Sequence, residues 1–128
     1  MVSFTAITAG AIMAFTTALA APTTPANKGL GVRSESGSIT WFNPGLGACG
    51  ETSADGDAIV AVSSAVFDSD NACGRNIRVN YNGQSVNVRV VDRCPSCDHG
   101  DLDLSPSAFE SLTGDKGLGR VQGTWDWA

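Results

Sequence analysis

Hydrophobic residues alternate most clearly over residues 76–91. Ile77, Val79 and Tyr81 lead to Asn82-Gly83, and Val86, Val88 and Val90 alternate back. Period-two alternation marks a strand with one buried face, and Asn-Gly is the preferred pair for a tight type I′ turn, so a β-hairpin is predicted here. Residues 38–42 are rich in β-formers and stop at the turn signal Asn43-Pro44-Gly45. Residues 58–62 are a short apolar run of the kind a fully buried strand carries, and a last strand is predicted over residues 119–127. Helical signals are few. Residues 63–67 form at most one turn. Further on, Ser105 reads as an N-cap and Pro106 as the first position of a helix over residues 106–112, which Thr113-Gly114 ends. Several short strands with one or two short helices predict a mainly β protein built as a small barrel.

The first residues stand outside that pattern. Residues 1–20 hold no charged side chain, contain an apolar stretch and end Ala18-Leu19-Ala20, which reads as a signal peptide. A secreted, extracellular protein is therefore expected, with no membrane span. Residues 21–35 are expected to be a flexible leader and residues 36–128 the folded domain. About 107 of the 128 residues remain after cleavage, enough for one small domain whose limited core benefits from covalent staples. The four cysteines, Cys49, Cys73, Cys94 and Cys97, all lie in that part. In an oxidising compartment they form two disulfides, with three connectivities open. The net charge of −5 argues against nucleic acid and anionic membranes, which reward clustered Lys and Arg. Neutral glycans and basic proteins are compatible with it, and a monomer is expected.

The chemistry concentrates in residues 90–109. Asp92 ends the apolar strand, and Asp103 stands eleven residues on at the start of the predicted helix. Two carboxyl groups, one protonated and one ionised, are what glycoside chemistry needs, and burial at a strand end raises a carboxyl pKa towards that of a proton donor. Asp101 or Ser105 is available for capping, which leaves Asp103 free. Cys94-Pro95-Ser96-Cys97 has redox spacing, but the acidic segment after it opposes thiolate formation. Neither a second Cys-x-x-Cys nor a paired-histidine spacing supports zinc, so a structural disulfide is expected there, with no metal and no cofactor. His99, the one histidine, lies in the same loop and is a minor binding candidate. Trp41, Phe42 and Trp127 are candidate stacking faces for sugar rings. One of Trp125 and Trp127 is expected in the core, and Trp127, next to the C-terminus, open to solvent.

These residues carry a resemblance. Ile39-Thr40-Trp41-Phe42, Gly47-Ala48-Cys49-Gly50, Cys73-Gly74, Val90-Val91-Asp92, Asp103-Leu104-Ser105-x-x-Ala108-Phe109 and Thr124-Trp125 occur in the order seen in the six-stranded double-psi β-barrel. Expansins, barwin-like proteins, RlpA-like proteins and family 45 endoglucanases share that barrel. The chain is most similar to the single-domain fungal expansin-like proteins called loosenins, an expansin barrel without the second, carbohydrate-binding domain. The resemblance implies a shallow groove that loosens cellulose or chitin without hydrolysis, with Thr40, Asp92 and Asp103 at the family's functional positions. Where the family often has a tyrosine two residues after the first Asp, this chain has Cys94. The resemblance also implies the pairing Cys49–Cys73 and, by exclusion, Cys94–Cys97.

Family 45 endoglucanases carry a base Asp on or just after the first strand, whereas no carboxylate occurs here between Gly37 and Gly50, and Asn43 is the nearest polar residue. Without a base to activate water an inverting glycosidase loses orders of magnitude in rate. RlpA-like lytic transglycosylases need no such base, but their histidine has no counterpart here, since His99 falls in a different loop. Three functions are weighed on this basis. The first is non-hydrolytic loosening of cell-wall polysaccharide. The second is a protein-binding module, such as a cysteine-protease inhibitor or effector, contacting its partner through residues 43–48 and 94–101. The third is weak lytic cleavage of a glycan.

Overall fold

The computed structural model describes residues 34–128. The predicted signal peptide and all of the leader except Ser34 and Glu35 lie outside the described residues. The elements in order are β1 (Glu35–Trp41), β2 (Ile59–Ser63), α1 (Ser64–Asp70), β3 (Asn76–Tyr81), β4 (Gln84–Cys94), β5 (Leu102–Leu104), α2 (Pro106–Thr113), a 3-10 turn (Lys116–Leu118) and β6 (Arg120–Trp127). The six strands close into a barrel in the order β1-β5-β2-β4-β3-β6. The β1–β5 and β2–β4 pairs are parallel and the other four antiparallel.

Local chemistry explains the elements. The β3–β4 hairpin turns at Asn82 (φ 51°) and Gly83 (φ 83°), the two positive angles a type I′ turn requires. It sets Ile77 opposite Val88 and Val79 opposite Val86. Ser63 caps α1 by accepting from the Val66 amide, and Asn71 ends that helix in the left-handed region. Helix α1 is thus longer than the single predicted turn. Ser105 caps α2 through the Ala108 amide, Pro106 opens it and Gly114 (φ 85°) closes it, as expected. The core inside the barrel is formed by Ile39, Val60, Val62, Ile77, Val79, Val88, Val90, Leu102, Leu104 and Trp125, with Phe109 and Leu112 of α2 packed against it.

A second element departs from the sequence reading. Asp103 does not open the helix. It sits at the centre of the three-residue strand β5 between buried Leu102 and Leu104. Three residues are too few for a period to register, so the strand is visible only once β1 and β2 flank it.

Both disulfides form as the resemblance implies, Cys49–Cys73 and Cys94–Cys97. The first ties the segment after β1 to the approach to β3. The second closes the turn that leaves β4. No helix among the described residues is long and apolar enough to cross a membrane.

Candidate functional site

Side chains of register partners on adjacent strands share a face, and this brings the two acids together. Ala61 of β2 pairs with Asp92 of β4 on one side and with Asp103 of β5 on the other. Asp103 pairs with Thr40 of β1, and Thr40 with Arg120 of β6. Asp92, Ala61, Asp103, Thr40 and Arg120 therefore form one band across five strands, on the face opposite inward-pointing Val60, Val62, Leu102 and Leu104. A register shift between Val60 and Ala61 makes this possible. Val90 points into the core, and strict alternation puts Asp92 there too; the extra residue turns it outward. Ala61 contributes only a methyl group between the acids.

Asp103 is half-buried and accepts a 2.9 Å hydrogen bond at Oδ1 from the Thr40 hydroxyl, which also approaches the Leu102 carbonyl at 3.3 Å. Loss of water around the carboxyl raises its pKa above the ordinary aspartate value. The Thr40 hydrogen bond and the Arg120 charge pull it back, and the Asp92 charge pushes it further up. Asp92 Oδ1 accepts from the amides of Ala48 and Arg93, at 2.9 and 2.8 Å, which fixes it against the segment stapled by Cys49.

A cleft of about 340 Å³ opens over the Asp103, Thr40 and Arg120 part of this band, lined by these three with Ser38 and Trp41 from the barrel and by residues of the 94–101 loop; Asp92 and Ala61 lie outside the lining. Three hydrogen bonds tie that loop to the barrel, and the Asp98–Asp101 bond braces it from within. Asp101 accepts from the Ser38 amide (2.9 Å) and the Asp98 amide (3.0 Å). The Gly100 carbonyl accepts from Trp125 Nε1 (2.9 Å), and the His99 carbonyl from the Ser63 hydroxyl (3.0 Å). Gly100 is required by close approach, since a Cβ there runs into the Ser36 carbonyl of β1. Ser105 thus takes the capping role, Asp101 holds the loop, and the Asp103 carboxyl is left facing the cleft.

The other sequence candidates are dispersed. Trp41 lines the cleft, but its indole N–H donates to the Lys116 carbonyl at 3.0 Å and the Lys116 ammonium lies 5.1 Å from its ring centroid. Phe42 is half-buried and outside the lining. His99 points away, with Nε2 3.5 Å from a Glu35 carboxylate oxygen. Trp125 is buried in the core. Trp127 lies at the far end of β6 from Arg120, edge-on to Trp125 at 5.4 Å and half-buried rather than open, because the Arg75 guanidinium sits 3.8 Å over its ring. Sequence reasoning missed Arg120 and Ser38, and had Ser96 and Asp98 only as part of the 94–101 contact loop of the protein-binding alternative. Arg120 reaches the site only through the antiparallel β1–β6 register, which leaves no local trace. Among the described residues no group of three or more His, Cys, Asp or Glu is arranged to hold a metal ion.

The family model described as lytic transglycolase matches residues 34–123, nearly all of the barrel. The chain belongs to this family of double-psi β-barrels. It is 38% identical over 84 residues to the papain inhibitor of Streptomyces mobaraensis, 59% of either chain. The solved Streptomyces papain inhibitor superposes with a TM-score of 0.65 at 33% identity, covering 74% of this chain and 93% of that one. The expansin of Clavibacter michiganensis superposes with a TM-score of 0.66 at 31% identity, covering 75% of this chain and 50% of that one, and a mutant of it has been solved in complex with cellohexaose. The chain spans between 28% and 59% of the length of the first curated relatives it matches.

Proposed function

We propose that this is a secreted expansin-like protein that binds and loosens cell-wall polysaccharide, cellulose or chitin, without hydrolysing it. The observation that carries the reading is the Thr40–Asp103 pair, 2.9 Å apart in an open polar cleft. Its likeness to an expansin whose mutant binds cellohexaose supports this choice of ligand. In this reading Asp103 exchanges hydrogen bonds with glycan hydroxyls while Thr40 fixes the rotation of its carboxyl, and Trp41 borders the chain. Binding that favours a strained or separated glycan lets neighbouring chains slip, through differential affinity for two states of the polymer. The non-hydrolytic part is supported by the stretch between Gly37 and Gly50, which holds no carboxylate where the resemblance to family 45 endoglucanases implies a base; Asn43, its nearest polar residue, is not among the cleft-lining residues. Its amide donates to Asp55 at 3.1 and 3.2 Å, and that carboxylate lies outside the cleft lining.

The test is a pull-down of the secreted protein on insoluble cellulose and chitin, with reducing-sugar release assayed in the same tubes. Binding without release is expected, and Asp103→Asn is expected to weaken binding and fibre loosening about tenfold or more, ~1.4 kcal/mol, with an unchanged fold. Full retention of loosening by Asp103→Asn removes the assignment, and released sugar ends revive a lytic enzyme.

A second reading, inhibition of a papain-like cysteine protease, is favoured by the Streptomyces likeness together with one surface feature. Leu46 is 73% exposed on a segment held by the Cys49–Cys73 disulfide, the Leu46–Thr52 bridge and the Glu51–Arg89 ion pair at 2.8 Å. Papain inhibition at sub-micromolar concentration that survives Asp103→Asn selects this reading over the first.

A further inference from the structure

Arg120 brings a cation into the cleft lining, and its place in the strand register gives it a definite task. It opens β6 opposite Thr40 of β1, and Thr40 is in turn opposite Asp103 of β5. The guanidinium and the Asp103 carboxyl thus flank the Thr40 hydroxyl on one face. Asp92 holds the corresponding place on the other side, across Ala61. Both flanking residues stand two strand spacings from Asp103, about 10 Å along the backbone band. In the strand register Asp103 therefore sits midway between an anion held by the Ala48 and Arg93 amides and the exposed cation of Arg120.

Most other basic side chains on the barrel are engaged. Arg89 pairs with Glu51 and Arg93 with Asp68, both at 2.8 Å, Arg75 covers Trp127, and Lys116 lies over Trp41. Arg120 is exposed and takes part in no ion pair among the described residues.

We propose that Arg120 is a positioning residue for Asp103, setting the pH at which Asp103 changes from hydrogen-bond donor to ionised acceptor in the cleft. The use of that change in glycan contact rests on the loosening reading; the Arg120–Asp103 coupling does not. The polar and charged groups around Asp103 are Thr40 from β1, Arg120 from β6, and Asp98 and Asp101 from the 94–101 loop, all lining the same cleft, with Asp92 of β4 outside the lining across the uncharged Ala61 of β2. Burial and the Asp92 charge favour the protonated form, while the Thr40 hydrogen bond and Arg120 favour the ionised one. Removing the guanidinium leaves the Thr40 hydrogen bond as the main opposing influence.

The experiment is a carbon-detected NMR titration of the Asp103 carboxyl in the wild-type protein, Arg120→Gln and Arg120→Lys, with amide spectra recorded to verify the fold. The Asp103 midpoint is expected to move to higher pH in Arg120→Gln and to return towards the wild-type value in Arg120→Lys. An unmoved midpoint in Arg120→Gln overturns the proposal, as does a movement that Arg120→Lys fails to reverse. Cellulose pull-downs over the same pH range separate the two ideas. A binding profile displaced together with the midpoint supports both. A moved midpoint with an undisplaced profile supports the Arg120 role and removes Asp103 from glycan contact.

Discussion

Asp103 combines two opposing conditions: it is half-buried, and its carboxyl lines an open cleft. The first has a consequence for stability. Burial raises its folded-state pKa above the ordinary value, so over the window from about pH 4 up to that raised value the folded state holds more protons than the unfolded state. Stability from this group is then fully present below the window and is lost as pH rises through it. Asp103→Asn removes the ionisation cost and keeps an acceptor for Thr40, so its Tm is expected to exceed that of the wild type at pH 7, with the gap closing below about pH 4. Thermal unfolding of both proteins at pH 3 and pH 7 checks this; a gap of equal size at both values shows that ionisation of Asp103 is not its source. The same variant thus weakens the proposed function while strengthening the fold, the exchange expected of a residue kept for its chemistry. At this scale the site was partly legible. Thr40, Asp92 and Asp103 stand in short, ordered motifs, and Ser105 revealed itself as a cap. Arg120 did not, because its relation to Asp103 runs through two strand pairings separated by most of the domain.

Elements divide the two disulfides between different tasks. Cys49–Cys73 spans a sequence separation of 24, and Cys94–Cys97 one of 3. By loop-closure entropy the first is worth about 3–4 kcal/mol and the second about 2 kcal/mol. The shorter one borders the cleft, and the loop it starts is also held by Asp101, by the Gly100 carbonyl on Trp125 and by the His99 carbonyl on Ser63. Replacing Cys94 and Cys97 together by Ser is therefore expected to lower unfolding free energy by no more than ~2 kcal/mol, with the barrel intact. The Cys49, Cys73 double serine variant should lose nearly twice as much. Urea unfolding of the two variants decides, and equal losses refute the division. Element type was well marked where a local rule operates: Asn82-Gly83 for the hairpin, Ser105-Pro106 for α2. Strand β5 was hidden because Leu102 and Leu104 alternate about Asp103 for one period only, and the β4 register shift was hidden because Val90-Val91-Asp92 reads equally well in either phase.

At the scale of the whole molecule the barrel depends on closure by its last strand. Strand β6 pairs with both β1 and β3, so no edge is left open, and it delivers Trp125, 1% exposed, to the core. The same strand carries Arg120 into the cleft, and Trp125 holds the Gly100 carbonyl of the loop that helps line it. Fold and site are therefore closed by one element. A chain ending at Gly119 loses two strand pairings and the Trp125 anchor. Loss of a buried Trp alone costs about 3–5 kcal/mol, against about 5–15 kcal/mol for an entire domain. Two unpaired edges are also exposed to other chains. Such a chain is expected not to fold, giving rapid proteolysis and no cooperative thermal transition, whereas Trp127→Ala, which leaves the ladder and Trp125 in place, is expected to melt cooperatively at a lower temperature. Cooperative melting of the shortened chain would mean that the remaining strands form a stable core without closure. The cleft would then be an addition to the barrel rather than a product of its closing.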